Sequence, residues 1–140
     1  MIWTTTPWTL PANQAVSVHP DFDYALVETP RGLLILAADL AQACLERYGL
    51  HGETLATCKG VALEGTPLNH PFNGQEVPII CGGHVTLEAG TGLVHTAPAH
   101  GLDDYFIGQK YGLPNDSPVD DDAKFIAATP VVGGLFVWKA

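Results

Sequence analysis

Asp23-Tyr24-Ala25-Leu26-Val27-Glu28-Thr29-Pro30-Arg31-Gly32-Leu33-Leu34-Ile35-Leu36 reads as a β-hairpin. Two apolar runs flank Thr29-Pro30-Arg31-Gly32, in which Pro and Gly favour a tight turn. Outward from it, Ala15-Val16-Ser17-Val18-His19 is a strand on one side. Leu55–Ala62, Val77–Cys81, Gly92–Thr96 and Val131–Trp138 are strands on the other. Two helices interrupt them. In Ala38–Tyr48 the residues Leu40, Cys44 and Tyr48 recur at helical spacing, flanked by Ala41 and Leu45, and Gly49 stands at the C-terminal stop. Asp103–Tyr111 is closed by Gly112, with Phe106, Ile107 and Lys110 as a partial inner stripe. The 15 Gly and 11 Pro of 140 residues add many turns. The expectation is a mainly β (α+β) fold, a compact closed β-barrel decorated by two or three helices.

Hydrophobic residues make up 46% and charged residues 15%, a globular composition. A single domain over residues 1–140 is expected. Both ends read as strands, which suggests a piece cut from a longer chain. No apolar run is long enough for a membrane helix and no signal-peptide pattern is visible, so a cytoplasmic location is expected, with no membrane partner. A net charge of −9, with six scattered Lys and Arg, argues against a large nucleic-acid surface. The three cysteines form no CxxC pair and are expected to be free buried thiols.

Two segments carry chemistry-bearing residues. Trp3-Thr4-Thr5-Thr6-Pro7-Trp8-Thr9-Leu10-Pro11-Ala12-Asn13 places four threonines among two prolines. Pro7 and Pro11 exclude a regular helix or an inner strand, so donor-and-acceptor hydroxyls are presented on a stiff, irregular backbone. The same residues also suit an ordinary β-branched strand followed by a proline-rich loop. The second segment is Gly90-Thr91-Gly92-Leu93-Val94-His95-Thr96-Ala97-Pro98-Ala99-His100-Gly101-Leu102-Asp103-Asp104-Tyr105. Here a strand ends in a Pro-Gly loop, and a helix starts with two carboxylates. Helix-end electrostatics alone accounts for such acids. A metal set of His95, His100 and one Asp has loose spacing, and no metal or cofactor is expected. His19, His51, His70 and His84 read as surface or packing residues. The P-loop and GxSxG patterns are absent.

Together the two segments resemble the editing insertion, CP1, of the class I aminoacyl-tRNA synthetases for branched aliphatic amino acids. Trp3–Pro11 is similar to the isoleucyl version: valyl and leucyl relatives have Thr-Thr-Arg-Pro where this chain has Thr6 before Pro7. The Gly90–Tyr105 string continues through Gly108-Gln109-Lys110-Tyr111-Gly112-Leu113 in the same pattern, and His19–Tyr24 is a weaker match. The resemblance implies a helix-decorated barrel inserted in a larger isoleucyl-tRNA synthetase. It implies no synthetic activity here, because the His-x-Gly-His and Lys-Met-Ser-Lys-Ser signatures for ATP are missing.

The implied activity is hydrolysis of mischarged Val-tRNA(Ile), with valyl-adenylate as a further possible substrate. A pocket made for isoleucine rejects valine by only about 1–3 kcal/mol, this pair being the standing example of that limit, and a smaller second sieve is the remedy. The resemblance assigns the α-ammonium of the valine moiety to Asp104 and the size limit to His95. Thr4, Thr5 and Thr6, with Thr9, are expected to hold the water and the oxyanion. Trp8 and Asn13 join them as substrate-binding candidates. The partners implied are the 3′-terminal adenosine of aminoacylated tRNA(Ile) and the rest of the parent synthetase. The competing expectation is a non-catalytic barrel that docks a tRNA end or another domain.

Overall fold

The computed structural model describes residues 1–140. Its seven strands are β1 (Ala15–Val18), β2 (Asp23–Thr29), β3 (Gly32–Ala37), β4 (Glu53–Lys59), β5 (Pro67–Asn69), β6 (Glu76–Cys81) and β7 (Val94–Thr96). Two α-helices join them, α1 (Ala38–Arg47) and α2 (Leu102–Tyr111), with three short 3-10 turns. The hairpin at Thr29–Gly32 forms as expected, with Thr29 Oγ1 donating to the Gly32 carbonyl at 2.8 Å.

The expected closed barrel is absent. The strands form two separate sheets, one in the order β5-β6-β1-β7 and one in the order β3-β2-β4. Closure requires every strand to have two neighbours. β4 pairs only with β2 and is solvent-exposed along nearly its whole length. The strand read into Val131–Trp138 does not form either. The tail folds into turns around Pro130, Gly133 and Gly134, with Val131 at φ 70°, and ends in a 3-10 turn over Val137–Lys139. Only Val137 of its apolar run is buried, while Trp138 is 80% exposed.

The first sheet supports the functional region. β1 is its inner strand, parallel to β6 and antiparallel to β7, and all four of its residues are buried. The core between the sheets joins Val16, Val18, Tyr24, Ala37, Ile79, Cys81 and Leu93. Tyr24 bolts the two halves together: its hydroxyl donates to the Gly92 carbonyl at 2.7 Å and accepts from the His19 N–H at 2.9 Å. Gly92 has φ 77°, and a Cβ there would collide with the Ala37 methyl, so this entry into β7 needs glycine.

Both helices stop where glycine predicts, with Gly49 at φ 61° and Gly112 at φ 64°. Their faces differ from the expectation. In α1, Ala41 and Cys44 are buried and Tyr48 is exposed. In α2, Phe106 and Lys110 face solvent. The inner side is Asp104, Ile107, Gly108 and Tyr111, which share one helical face. Apolarity misled here, because a glycine and a carboxylate take the inward positions. The Tyr111 hydroxyl donates to Glu64 and accepts from the Cys81 N–H, fastening α2 to the end of β6.

Gly108 sets how closely α2 approaches the preceding corner. A Cβ there would lie 2.8 Å from Pro98 Cγ and 3.0 Å from its Cβ, and a proline ring has little freedom to yield. Gly108→Ala should therefore destabilise the fold by roughly 1–2 kcal/mol, the overpacking cost exceeding the helix-propensity gain of up to about 1 kcal/mol. Urea melts of the two proteins check this; equal or greater stability in the variant would show that the contact is slack.

Candidate functional site

The threonine segment and the strand-to-helix corner pack against each other. Trp3 forms a parallel bridge to Val94, which lays Thr4–Thr6 along the open edge of β7. Pro7 then starts a 3-10 turn over Pro7–Ala12, closed by Thr9 N–H to the Thr6 carbonyl and Asn13 N–H to the Leu10 carbonyl, each 3.0 Å. Proline suits the first position because its missing N–H is not needed there. Between the segments lies a cavity of about 200 Å³, lined by Thr4, Thr5, Thr6, Thr9, His95 and Asp104 together with Trp3, Val94, Ala97 and His100.

Six of the eight residues singled out from sequence thus share one cavity. Trp8 and Asn13 do not line it. Trp8 meets the His100 ring edge-on and turns towards a separate apolar hollow with Phe125 and Trp138. Asn13 is 5% exposed and lies behind His95. Sequence reasoning passed over Trp3, Val94 and Ala97, although their places beside Thr4 and His95 were the available signal. His100 entered it only as a loose metal candidate. No group of three His, Cys, Asp or Glu side chains is arranged to hold a metal ion. Cys44 and Cys81 are buried free thiols, while Cys58 is half-buried.

His95 is engaged at both ring nitrogens. Nε2 lies 2.8 Å from Thr9 Oγ1, and Nδ1 lies 2.7 Å from Asn13 Nδ2. The neighbours fix its tautomer. Asn13 Nδ2 also donates to the Ala15 carbonyl at 2.8 Å, which can only accept, so the amide nitrogen faces His95. Nδ1 must then be the acceptor and Nε2 must carry the proton. Thr9 Oγ1 receives that proton and spends its own on the Thr6 carbonyl at 2.8 Å. One hydrogen-bond chain therefore runs from the Ala15 carbonyl and Asn13 through His95 and Thr9 to Thr6. It leaves His95 no free lone pair for proton transfer.

Burial, with smaller contributions from His70 and His100, pulls the His95 pKa down to about 4. That lies below the ordinary 6.5, so the unfolded chain takes up a proton first as pH falls. The stabilisation from a neutral His95 is complete above pH 6.5 and is lost towards pH 4, about 3 kcal/mol in all. Urea unfolding at pH 7.5 and pH 5 should show the wild-type chain losing about 2 kcal/mol more than His95→Gln. Imidazole ¹⁵N spectra from pH 6 to 8 should show Nε2 protonated and Nδ1 bare; a protonated Nδ1 contradicts the assigned chain.

Asp104 reaches back from the first turn of α2. Its Oδ2 accepts the Ala97 N–H at 2.9 Å, leaving Oδ1 for the cavity. Burial pushes its pKa above the usual carboxylate value, partly offset by the Ala97 N–H and by His84. Asp103 is exposed on the outer side of the same turn. The threonine hydroxyls keep donor capacity. Thr4 Oγ1 accepts the Thr6 N–H at 3.1 Å, while the Thr4–Thr6 and Thr6–Thr9 hydroxyl pairs stand at 3.4 Å. Good O–H···O bonds span about 2.5–3.0 Å, so these pairs leave protons for a guest. The cavity therefore offers one anion, several neutral donors and a rigid neutral wall.

The sequence and the fold are matched by known proteins. A family model described as the leucyl-tRNA synthetase editing domain covers residues 36–129. The chain belongs to the synthetase editing-domain family. Over its full length, the domain is 71% identical to the isoleucine–tRNA ligase of Nitrosomonas europaea and spans 15% of that protein. It is 61% identical to the isoleucine–tRNA ligase of Thiobacillus denitrificans, again over the whole domain and 15% of the relative.

Solved editing domains share its fold. GlLeuRS-CP1 superposes with a TM-score of 0.66 at 19% identity, over 80% of this domain and 48% of that chain. The Plasmodium falciparum cytosolic leucyl-tRNA synthetase editing domain gives a TM-score of 0.62 at 16% identity, over 80% and 49%. No helix of the domain is long and apolar enough to cross a membrane.

Proposed function

We propose that this domain, as one part of a larger cytoplasmic isoleucyl-tRNA synthetase, hydrolyses the ester of Val-tRNA(Ile) and excludes isoleucine by size. The observation that carries the reading is the convergence of the threonine hydroxyls, the Asp104 carboxylate and the His95 ring on one cavity of about 200 Å³. Drug-sized ligands occupy pockets of roughly 300–1,000 Å³, so this one suits an aminoacyl end rather than a whole nucleoside.

In this reading the free Oδ1 of Asp104 takes the α-ammonium of the valine moiety through a charge-assisted bond. That fixes the ester against Thr4, Thr5 and Thr6, whose spare donors face the carbonyl oxygen as it gains charge. The locked His95 ring bounds the side-chain space. Both of its nitrogens are held, so the wall cannot easily turn aside for one more methylene. Trp8 and Asn13 serve by support: Asn13 locks His95, and Trp8 backs His100. The 3′-terminal adenosine of the tRNA remains outside the cavity. The domain's net charge of −9 makes it a poor surface for phosphates, so the rest of the synthetase supplies tRNA affinity.

The test is deacylation by the whole synthetase. It should release valine from Val-tRNA(Ile) and spare Ile-tRNA(Ile), while the 140-residue chain alone acts only at high tRNA concentration. Equal, slow release from both charged tRNAs would favour a docking module without catalysis.

A further inference from the structure

The cavity has two imidazoles, and only one is fully engaged. His95 has a partner at each nitrogen. His100, which also lines the cavity, hydrogen-bonds through neither ring nitrogen: Nε2 is sealed inside the protein without a partner. Burying an unsatisfied polar atom costs about 1–3 kcal/mol, so a native site that keeps one calls for a reason. The ring meets the Trp8 indole at 5.2 Å between centroids and 74° between planes. With Nε2 sealed and Nδ1 without a partner, Nδ1 is the ring nitrogen left open to a guest in the cavity.

The backbone holds this ring in step with Asp104. The Ala97 N–H goes to Asp104 Oδ2, and the Ala97 carbonyl accepts the His100 N–H, each at 2.9 Å. One residue, stiffened by Pro98 after it, thus anchors both groups. The ionisable groups that share the cavity with His100 are Asp104 from α2 and His95 from β7. The hydroxyls of Thr4–Thr6 and Thr9 line the cavity too, beside Trp3, Val94 and Ala97. Burial holds the His100 ring towards its neutral form.

We propose that His100 Nδ1 is the proton acceptor for the water that hydrolyses the ester, a role that rests on the hydrolytic function proposed above. The water O–H bond breaks and its proton moves to Nδ1 as the oxygen bonds to the ester carbonyl carbon. The resulting tetrahedral intermediate then collapses. Its bond to the ribose oxygen breaks, and that oxygen takes the proton back from the imidazolium. Free valine and a tRNA with its ribose hydroxyl restored leave, and His100 is neutral again. No other reactant is required.

The experiment compares wild-type synthetase with His100→Gln, using Val-tRNA(Ile) in single-turnover deacylation from pH 5 to 8. Glutamine keeps hydrogen-bonding capacity but does not titrate. The wild-type rate should fall on the acid side as His100 takes up a proton. His100→Gln should be slower by about 10²–10⁴-fold at pH 7.5 and should lack that acid limb. Charging of tRNA with isoleucine at the synthetic site checks that the variant is folded. If His100→Gln does not fold, His100→Asn takes its place with the same expected loss of rate, and a flat wild-type profile overturns the proposal. A variant within threefold of wild type overturns it. So does a slow variant that keeps the wild-type acid limb, because His100 would then be only a support. A wild-type enzyme that releases no valine at any pH would instead overturn the hydrolytic function itself.

Discussion

Replacing Asp104 by asparagine in the whole synthetase is expected to slow Val-tRNA(Ile) deacylation by about two to three orders of magnitude while leaving the fold intact. The missing charge is the partner assigned to the substrate ammonium, and truncating one member of a desolvated charge pair costs about 2–5 kcal/mol. Asparagine still offers an oxygen to the Ala97 N–H, so the corner before α2 stays tied. Stability should move the other way. The folded pKa of Asp104 lies above its ordinary value, so the folded state favours the protonated acid. Its contribution is greatest at low pH and declines as pH rises through the folded pKa. At pH 7 the ionised group therefore burdens the fold, and Asp104→Asn should melt no lower than wild type. A variant with full deacylation activity would remove Asp104 from the ammonium role. Asp104→Ala is a harsher change, because it also strands the Ala97 N–H.

His95→Ala is expected to change selectivity rather than abolish hydrolysis. With the ring gone, the cavity admits the extra methylene, and Ile-tRNA(Ile) should be cleaved within about tenfold of Val-tRNA(Ile), erasing a discrimination of the kind worth 1–3 kcal/mol per methylene. The domain also loses about 2–3 kcal/mol of stability, since Asn13 and Thr9 each lose a buried partner. Deacylation of both charged tRNAs, with isoleucylation as the folding control, decides the matter. A folded variant that still spares Ile-tRNA(Ile) would show that another residue sets the limit.

The parts of this molecule legible in sequence are those governed by local rules. The 29–32 hairpin, the glycine stops at Gly49 and Gly112, and the strand at 77–81 all follow from turn chemistry and short-range patterning. The barrel was misread because local pattern is silent on closure. Strand β4 looks like any other strand, yet it has one neighbour. The apolar run 135–138 looks like a strand, yet positive φ at Val131 and the Gly133-Gly134 pair turn the chain away. Within the site, Thr4–Thr6, Thr9, His95 and Asp104 were legible because residue type and string resemblance coincide. The position of Asn13 behind His95 was not legible, because it depends on a contact across 82 residues. The free state of His100 was hidden for the same reason: an absent partner leaves no mark in a sequence.

A crystal of the chain soaked with a non-hydrolysable valyl-adenosine amide measures the central geometry directly. The ammonium should sit within hydrogen-bonding distance of Asp104, with the valine methyls against the His95 ring and the carbonyl oxygen turned to Thr4–Thr6. Density for the valine in the apolar hollow beside Trp8 and Trp138, with the threonine cavity left to solvent, would contradict the account.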